Sequence, residues 1–244
     1  MRQMWTITRR ETNALFFSPI AYVAMAVFLF LMGLVFAAFV FRPGELSDLR
    51  QIFSLSRFML TMVTPLVTMS LFSEEFKSGR IEMLRTSPVS PSAMVFGKFF
   101  GGLGFYLAIM ASLLVFVLML AIFGGPDYHM LLASFLGLIL MGTLYVAVGL
   151  FFSACTESQL LAAVGTFLVL CLINFADLVI SWFANTIKLP QWLRTGVTQA
   201  TIGAHFEDFA KGIFDVSHAV YFLTTAGFFI FLTYLVLESR NWRR

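Results

Sequence analysis

The chain has 244 residues, 59% of them hydrophobic and 12% charged, with a formal net charge of +3. A soluble domain carries about 25% charged residues, so a mean hydropathy of +0.89 makes lipid the expected solvent. The excess of three charges is too small to call for a nucleic-acid partner, and none is expected. Cys155 and Cys171 form no C-x-x-C pair and read as small apolar packing residues.

Residues 1–17 mix Arg2, Arg9, Arg10 and Glu11 with Trp5, Ile7, Leu15 and Phe16. This pattern predicts a helix lying in the membrane interface; a plain polar lead-in is the alternative. Ser18-Pro19 breaks the path and starts a new helix. Residues 20–41 carry no charge and suffice to cross a core of about 30 Å, which takes ~20 helical residues. They exceed the length of a signal-peptide core and no A-x-A site follows, so they are read as span one.

Residues 42–56 read as a polar loop and 57–72 as a short span two, with Pro65 in its middle as a plausible kink. Residues 73–92, SEEFKSGRIEMLRTSPVSPS, are a polar insertion between apolar runs. Ser90-Pro91 reads as an N-cap with Pro at the first helical position. Span three follows over 93–123 as one long helix, with Lys98 snorkelling to the interface and Gly97-x-x-x-Gly101 offering a face for close helix contact.

Gly124-Gly125-Pro126-Asp127 is a turn by composition, and span four is expected over 130–154. After the short loop Thr156–Gln159, span five is expected over 160–184. The segment 185–217 is too mixed to span. Phe206, Phe209, Ala210 and Ile213 recur at i, i+3, i+4 and i+7, so two short re-entrant or interfacial helices are expected there. Span six is expected over 219–237, followed by the basic tail ESRNWRR. The fold class is therefore an all-α polytopic membrane protein of one domain, with six spans, an N-terminal interfacial helix and a short polar helix in 73–92.

Six spans place both termini on one side. Of 16 Lys and Arg, ten fall on that side: Arg2, Arg9, Arg10, Lys77, Arg80, Arg85, Lys98, Arg240, Arg243 and Arg244. The positive-inside bias puts the termini and 73–92 in the cytoplasm, with the chain in the cytoplasmic (inner) membrane. No H-E-x-x-H, G-x-S-x-G or Walker A pattern is present, and Gly97-Lys98 is followed by Phe99. His129, His205 and His218 are scattered and read as polar residues of the outer side. Asn174 and Asp177 are the polar pair of span five; a structural role and a role in a substrate path or protomer contact both stand. No catalytic residues, metal or cofactor are expected in this chain, and the energy for any transport must come from elsewhere.

The segment Glu74-Glu75, Gly79, Glu82, Leu84 and Ser87-Pro88-Val89-Ser90, leading to Gly97-Lys98, resembles the first cytoplasmic loop of ABC-2 type permease subunits, with a pattern of roughly E-E-x-x-x-G-T-x-E-x-L-x-T-x-P-x-S and then G-K. Arg80 stands where that family often has Thr, and Arg85 where an apolar residue is common. The opening R-R-E-T-N-A-L-F-F-S-P-I-A-Y, the T-E-S-Q loop, H-F-E-D-F-A-K-G-I-F-D and L-E-S-R-N-W-R-R are similar to the gliding-motility and copper-processing branch.

The resemblance implies a transporter permease subunit that pairs with a second permease, identical or paralogous. Each would sit on a cytoplasmic ATPase that binds ATP and Mg. The helix at about Arg80–Thr86 would dock on that ATPase, with Glu74, Glu75, Gly79, Arg80, Ile81, Glu82, Leu84, Arg85 and Pro88 as coupling residues and Glu157 as a second contact. The alternative function is a membrane-embedded component that passes ATPase movement to a partner complex without moving a solute. Neither substrate nor direction follows from the residues.

Overall fold

The computed structural model describes residues 2–40, 49–79, 90–123, 127–186 and 201–242. Among these every regular element is helical: α1 (Arg2–Phe16), α2 (Pro19–Val35), α3 (Leu49–Thr68), α4 (Ser70–Lys77), α5 (Pro91–Ala111), α6 (Leu114–Phe123), α7 (Tyr128–Cys155), α8 (Gln159–Thr186), α9 (Ile202–Ala210) and α10 (Val216–Trp242). Among the described residues six stretches are long and apolar enough to cross a membrane: Pro19–Ala38, Ile52–Lys77, Pro91–Met119, Tyr128–Cys155, Gln159–Ala176 and Val216–Arg240. The chain is thus an all-α, multi-pass membrane protein.

α7 is the central post. Leu138, Met141, Leu144, Tyr145 and Leu150 are fully enclosed on it, and α3, α4, α5, α8, α9 and α10 all pack against it. Glycines set the closeness of these contacts. A Cβ at Gly142 would lie 2.0 Å from the Tyr106 ring, and one at Gly149 would lie 2.1 Å from Thr68 Oγ1. With no side chain at these two positions the Tyr106 ring and the Thr68 side chain pack directly on the α7 backbone, and such close packing is a main attraction available between helices in lipid.

Span two differs from its expected bounds at both ends. It begins before Arg57, because Ile52, Phe53, Ser56 and Leu60 form a buried helical face and α3 already starts at Leu49. It also continues past Phe72 as α4 to Lys77, so Glu74 and Glu75 ride on a helix rather than in a loop. The interruption between α3 and α4 falls at Met69, one turn beyond Pro65.

One side chain satisfies the backbone at this break. Ser153 of α7 accepts from Phe72 N–H at 2.9 Å and Ser73 N–H at 3.1 Å, and donates to the Met69 carbonyl at 2.8 Å. A hydroxyl offers one donor and two acceptor sites, and all three are used. Ser153→Ala should leave both amide donors buried without that acceptor and lower stability by about 1–3 kcal/mol. Thermal unfolding of the purified variant checks this, and unchanged unfolding would show that the break does not depend on Ser153.

The third span is two helices rather than one straight lever. At Ser112–Leu113 the backbone turns through i→i−3 bonds, Ser112 N–H to Ile109 O at 3.1 Å and Leu113 N–H to Met110 O at 3.0 Å. The Ser112 hydroxyl also donates back to the Ile109 carbonyl, the kind of local bond that bends a helix. At the other end of α5, Ser90 caps as expected, its Oγ accepting from Ala93 N–H at 3.3 Å.

Among the expected outer helices, α9 is described, and the segment 187–200 lies outside the described residues. Ile202, Phe206, Phe209 and Ala210 form its buried face. Ile213 does not join it and is 56% exposed. Gly212, at φ +85°, ends the helix, and Ile213 N–H bonds back to Asp208 O at 2.9 Å. That left-handed turn redirects the chain before Ile213.

Candidate functional site

The ends of α4 and α5 that flank residues 80–89 carry a buried charge cluster. Lys98 of α5 is 1% exposed. Its Nζ lies 3.0 Å from Glu75 Oε2 of α4 and 3.3 Å from Glu11 Oε2 of α1. It also donates to the Leu71 carbonyl and sits 5.0 Å from the Phe72 ring centroid. Arg10 completes the set, with Nη2 at 2.8 Å from Glu11 and 2.9 Å from Glu75. Two cations and two carboxylates thus tie three helices together.

Lys98 therefore does not snorkel. Sequence reasoning missed this cluster because the covering element is α1. Gly97 and Gly101 let α1 lie directly on α5: a Cβ at Gly97 would sit 2.7 Å from Ile7 Cγ2, and one at Gly101 would sit 2.7 Å from Glu11 Cβ. The small face found in the sequence is real, but its partner is the N-terminal helix rather than another span. The opposite face of α1 leaves Trp5 68% exposed. The available signal was the spacing itself, which puts Gly97, Lys98 and Gly101 on adjoining faces of one helix beside an α1 that carries a single acid, Glu11.

A cavity of about 490 Å³ opens beside the cluster. Arg10, Glu11, Glu75 and Lys98 form its charged wall, and Ala14, Ile20 and Leu66 are among its apolar lining residues.

A second group of residues gathers at the same end. Glu157, in the turn between α7 and α8, has a side chain 71% exposed and 3.9 Å from Arg240 Nη1 of α10. Arg240 donates to the Cys155 carbonyl at 3.0 Å and lies 4.3 Å from the Phe76 ring centroid. Gln159 reaches Glu74 at 3.4 Å. The fold thus brings Glu74 and Glu157, candidates far apart in sequence, to one surface. Glu75 lies behind that surface in the buried cluster. Gly79, at φ +69°, closes the end of α4. Arg80, Ile81, Glu82, Leu84, Arg85 and Pro88 lie outside the described residues.

Asn174 is placed elsewhere. It is 8% exposed, and its Nδ2 donates to Tyr145 OH at 2.7 Å and the Leu170 carbonyl at 2.9 Å, with Thr61 Oγ1 at 3.4 Å. Thr61 and Tyr145 are themselves 2.8 Å apart. The amide is engaged in joining α3, α7 and α8. The side chain of Asp177, one turn further along α8, lies outside the described residues.

The histidines are also brought together. His205 Nδ1 and His218 Nδ1 are 2.5 Å apart, and His218 Nε2 is 2.9 Å from Asp208 Oδ2. Both ring nitrogens of His218 are engaged. Among the described residues no group of three His, Cys, Asp or Glu is arranged to hold a metal.

The model of the ABC-2 family transporter protein matches residues 45–198, more than half of the chain. The chain belongs to the ABC-2 transporter family. No curated protein sequence matches it. Six apolar helices and this membership make it a membrane permease component of an ABC transporter. The match runs from before span two through span five and includes the whole expected coupling segment 73–92.

Proposed function

We propose that this ABC-2 permease subunit moves a substrate across the cytoplasmic membrane with ATP hydrolysed by a separate ATPase, and that segment 80–89 is the element on which the ATPase acts. The observation that carries the reading is the buried Lys98–Glu75–Glu11 cluster. It joins the two helices that enter and leave segment 80–89, and it ties both to α1. A push on that segment is passed to α4, α5 and α1 together, because separating the charges in a dry site costs several kcal/mol.

In this reading Ile81 and Leu84 seat in a groove of the ATPase, with Glu82, Arg80 and Arg85 setting polar contacts at its rim. Glu74 and Glu157 supply further contacts on the same surface, supported by their shared location near Phe76 and Arg240. Both termini lie on the cytoplasmic side, supported by the excess of Lys and Arg there, and two permeases pair around the path. ATP and Mg belong to the partner chain. The branch resemblance to gliding-motility and copper-processing permeases rests on the sequence segments alone and names no substrate.

Glu82→Lys and Leu84→Asp should each abolish co-purification with the ATPase while the permease still inserts and pairs. Pull-down of the tagged ATPase from solubilised membranes reads this out. Retention of the ATPase at wild-type levels with normal hydrolysis would remove segment 80–89 from the coupling surface. Solute-stimulated hydrolysis in the reconstituted complex separates transport from purely mechanical action on a partner complex.

A further inference from the structure

The cavity of about 490 Å³ beside the charge cluster falls in the range of small-ligand pockets, about 300–1,000 Å³. All of its lining residues are described. It lies between α1, the start of α2, the α3–α4 break and the first residue of α8, with Lys98 reaching it from α5. Ile20 and Leu66 on its apolar side are 48% and 43% exposed. They belong to the spans Pro19–Ala38 and Ile52–Lys77, so this side opens toward lipid. Ile20 stands at the start of one span and Glu74 near the end of the other, which sets the cavity where hydrocarbon gives way to head groups.

Most of the charged wall is already engaged. Lys98 directs its three donors to Glu11, Glu75 and the Leu71 carbonyl. Arg10 uses Nε and Nη2 on Glu11 and Glu75. Three donors remain on the lining: Arg10 Nη1, the Ser18 hydroxyl and the Ser70 hydroxyl. Among the described residues none of the three has a hydrogen-bond partner, and Ser18 holds the N-cap position of α2 without making the cap bond. The Arg10 side chain is half-exposed, so its free edge is accessible to a ligand.

Charge decides what kind of head these donors can take. Two cations, Arg10 and Lys98, face three carboxylates, Glu11, Glu74 and Glu75, so the lining is net negative. A purely anionic head would add to that excess. A head that joins a phosphate to an ammonium would not, and Glu74 is an exposed carboxylate on the same lining.

We propose that this cavity binds the head of an aminophospholipid of the surrounding leaflet. The phosphate accepts from Arg10 Nη1 and the Ser18 and Ser70 hydroxyls, the ammonium donates to Glu74, and the acyl chains lie along Ile20 and Leu66. Arginine holds a phosphate through its planar fork. A primary ammonium carries N–H donors for the carboxylate, and a quaternary one has none. A lipid held in this way braces α1 against α2 and α4 beside the charge cluster.

The test uses full-length permease alone, purified in maltoside detergent without any ATPase, so its outcome is independent of where the ATPase docks. Thermal unfolding is followed during titration with dioctanoyl phosphatidylethanolamine, dioctanoyl phosphatidylcholine, dioctanoyl phosphatidylglycerol and free phosphoethanolamine. The ethanolamine lipid should raise the midpoint saturably and at the lowest concentration. The choline lipid lacks the N–H donors and the glycerol lipid lacks the ammonium; each should need about tenfold more, the scale of a lost charge-assisted hydrogen bond. Free phosphoethanolamine should act only weakly, because it has no acyl chains.

Glu74→Gln should erase the preference for the ethanolamine lipid over the choline lipid. Ala14→Phe, at an exposed lining residue, should fill the cavity and abolish the shift with every lipid. Leu66→Trp fills it from the apolar side and serves if the first variant does not fold. Equal shifts with the three lipids, an unchanged preference in Glu74→Gln, or full shifts in the cavity-filling variants would overturn the assignment. Free phosphoethanolamine acting at the same concentration as the lipid would assign the cavity to a soluble phosphate ester and overturn the lipid class.

Discussion

Lys98→Met should be the most damaging single change in the buried charge cluster, lowering stability by about 3–5 kcal/mol. The variant keeps most of the side-chain volume but leaves Glu11 and Glu75 facing each other, both about 9% exposed, with only the half-exposed Arg10 between them. The loss arises from uncompensated buried charge rather than from the worth of the ion pair, since replacing a whole buried pair by apolar groups is often neutral. Lys98→Met with Glu75→Gln should therefore recover much of the loss, because Arg10 and Glu11 then balance. Thermal unfolding of the single and double variants in the same detergent decides this. A double variant no more stable than Lys98→Met would mean that the lysine acts through packing or its bond to the Leu71 carbonyl.

The same variants bear on function. If the cluster carries movement from segment 80–89 into α1 and α5, the double variant should fold and bind the ATPase yet show weakened coupling of hydrolysis to transport. A neutral core does not resist separation as an ion cluster does.

Gly149→Ala should also be strongly destabilising, by about 1–3 kcal/mol, although alanine is the better helix former. The new methyl carbon would lie 2.1 Å from Thr68 Oγ1 and 2.5 Å from Thr68 Cβ. Thr68 Cβ is fixed to its own backbone and cannot rotate away, so α3 and α7 must separate. Ser153, one turn further along α7, would then be drawn off the Met69 break that it satisfies. Gly227→Ala in α10 is the matched control: nothing lies within 4 Å of its built Cβ, and the change should be neutral or stabilising by about 0.5–1 kcal/mol. Equal unfolding midpoints for the two variants would contradict the close α3–α7 crossing.

Composition and apolar run length were enough to make this chain a six-span helical membrane protein, because lipid forces every backbone group into an internal bond. Local chemistry likewise marked Ser90 as a cap. Residues 74–90 also carried the family resemblance. These features depend on a few neighbouring residues and on the solvent.

Features that depend on distant partners were not legible. The extent of span two was misjudged because Glu74 and Glu75 look like loop residues until the buried lysine that pairs with Glu75 is found. The one-piece third span failed at Ser112, where a hydroxyl competes for the helix's own carbonyl without any Pro or Gly to mark it. The sequence by itself determined the solvent, the number of spans and the family. Only the tertiary structure decided which charges are buried and which helix covers Lys98, because burial of a charge is set by the elements packed around it and not by its neighbours along the chain.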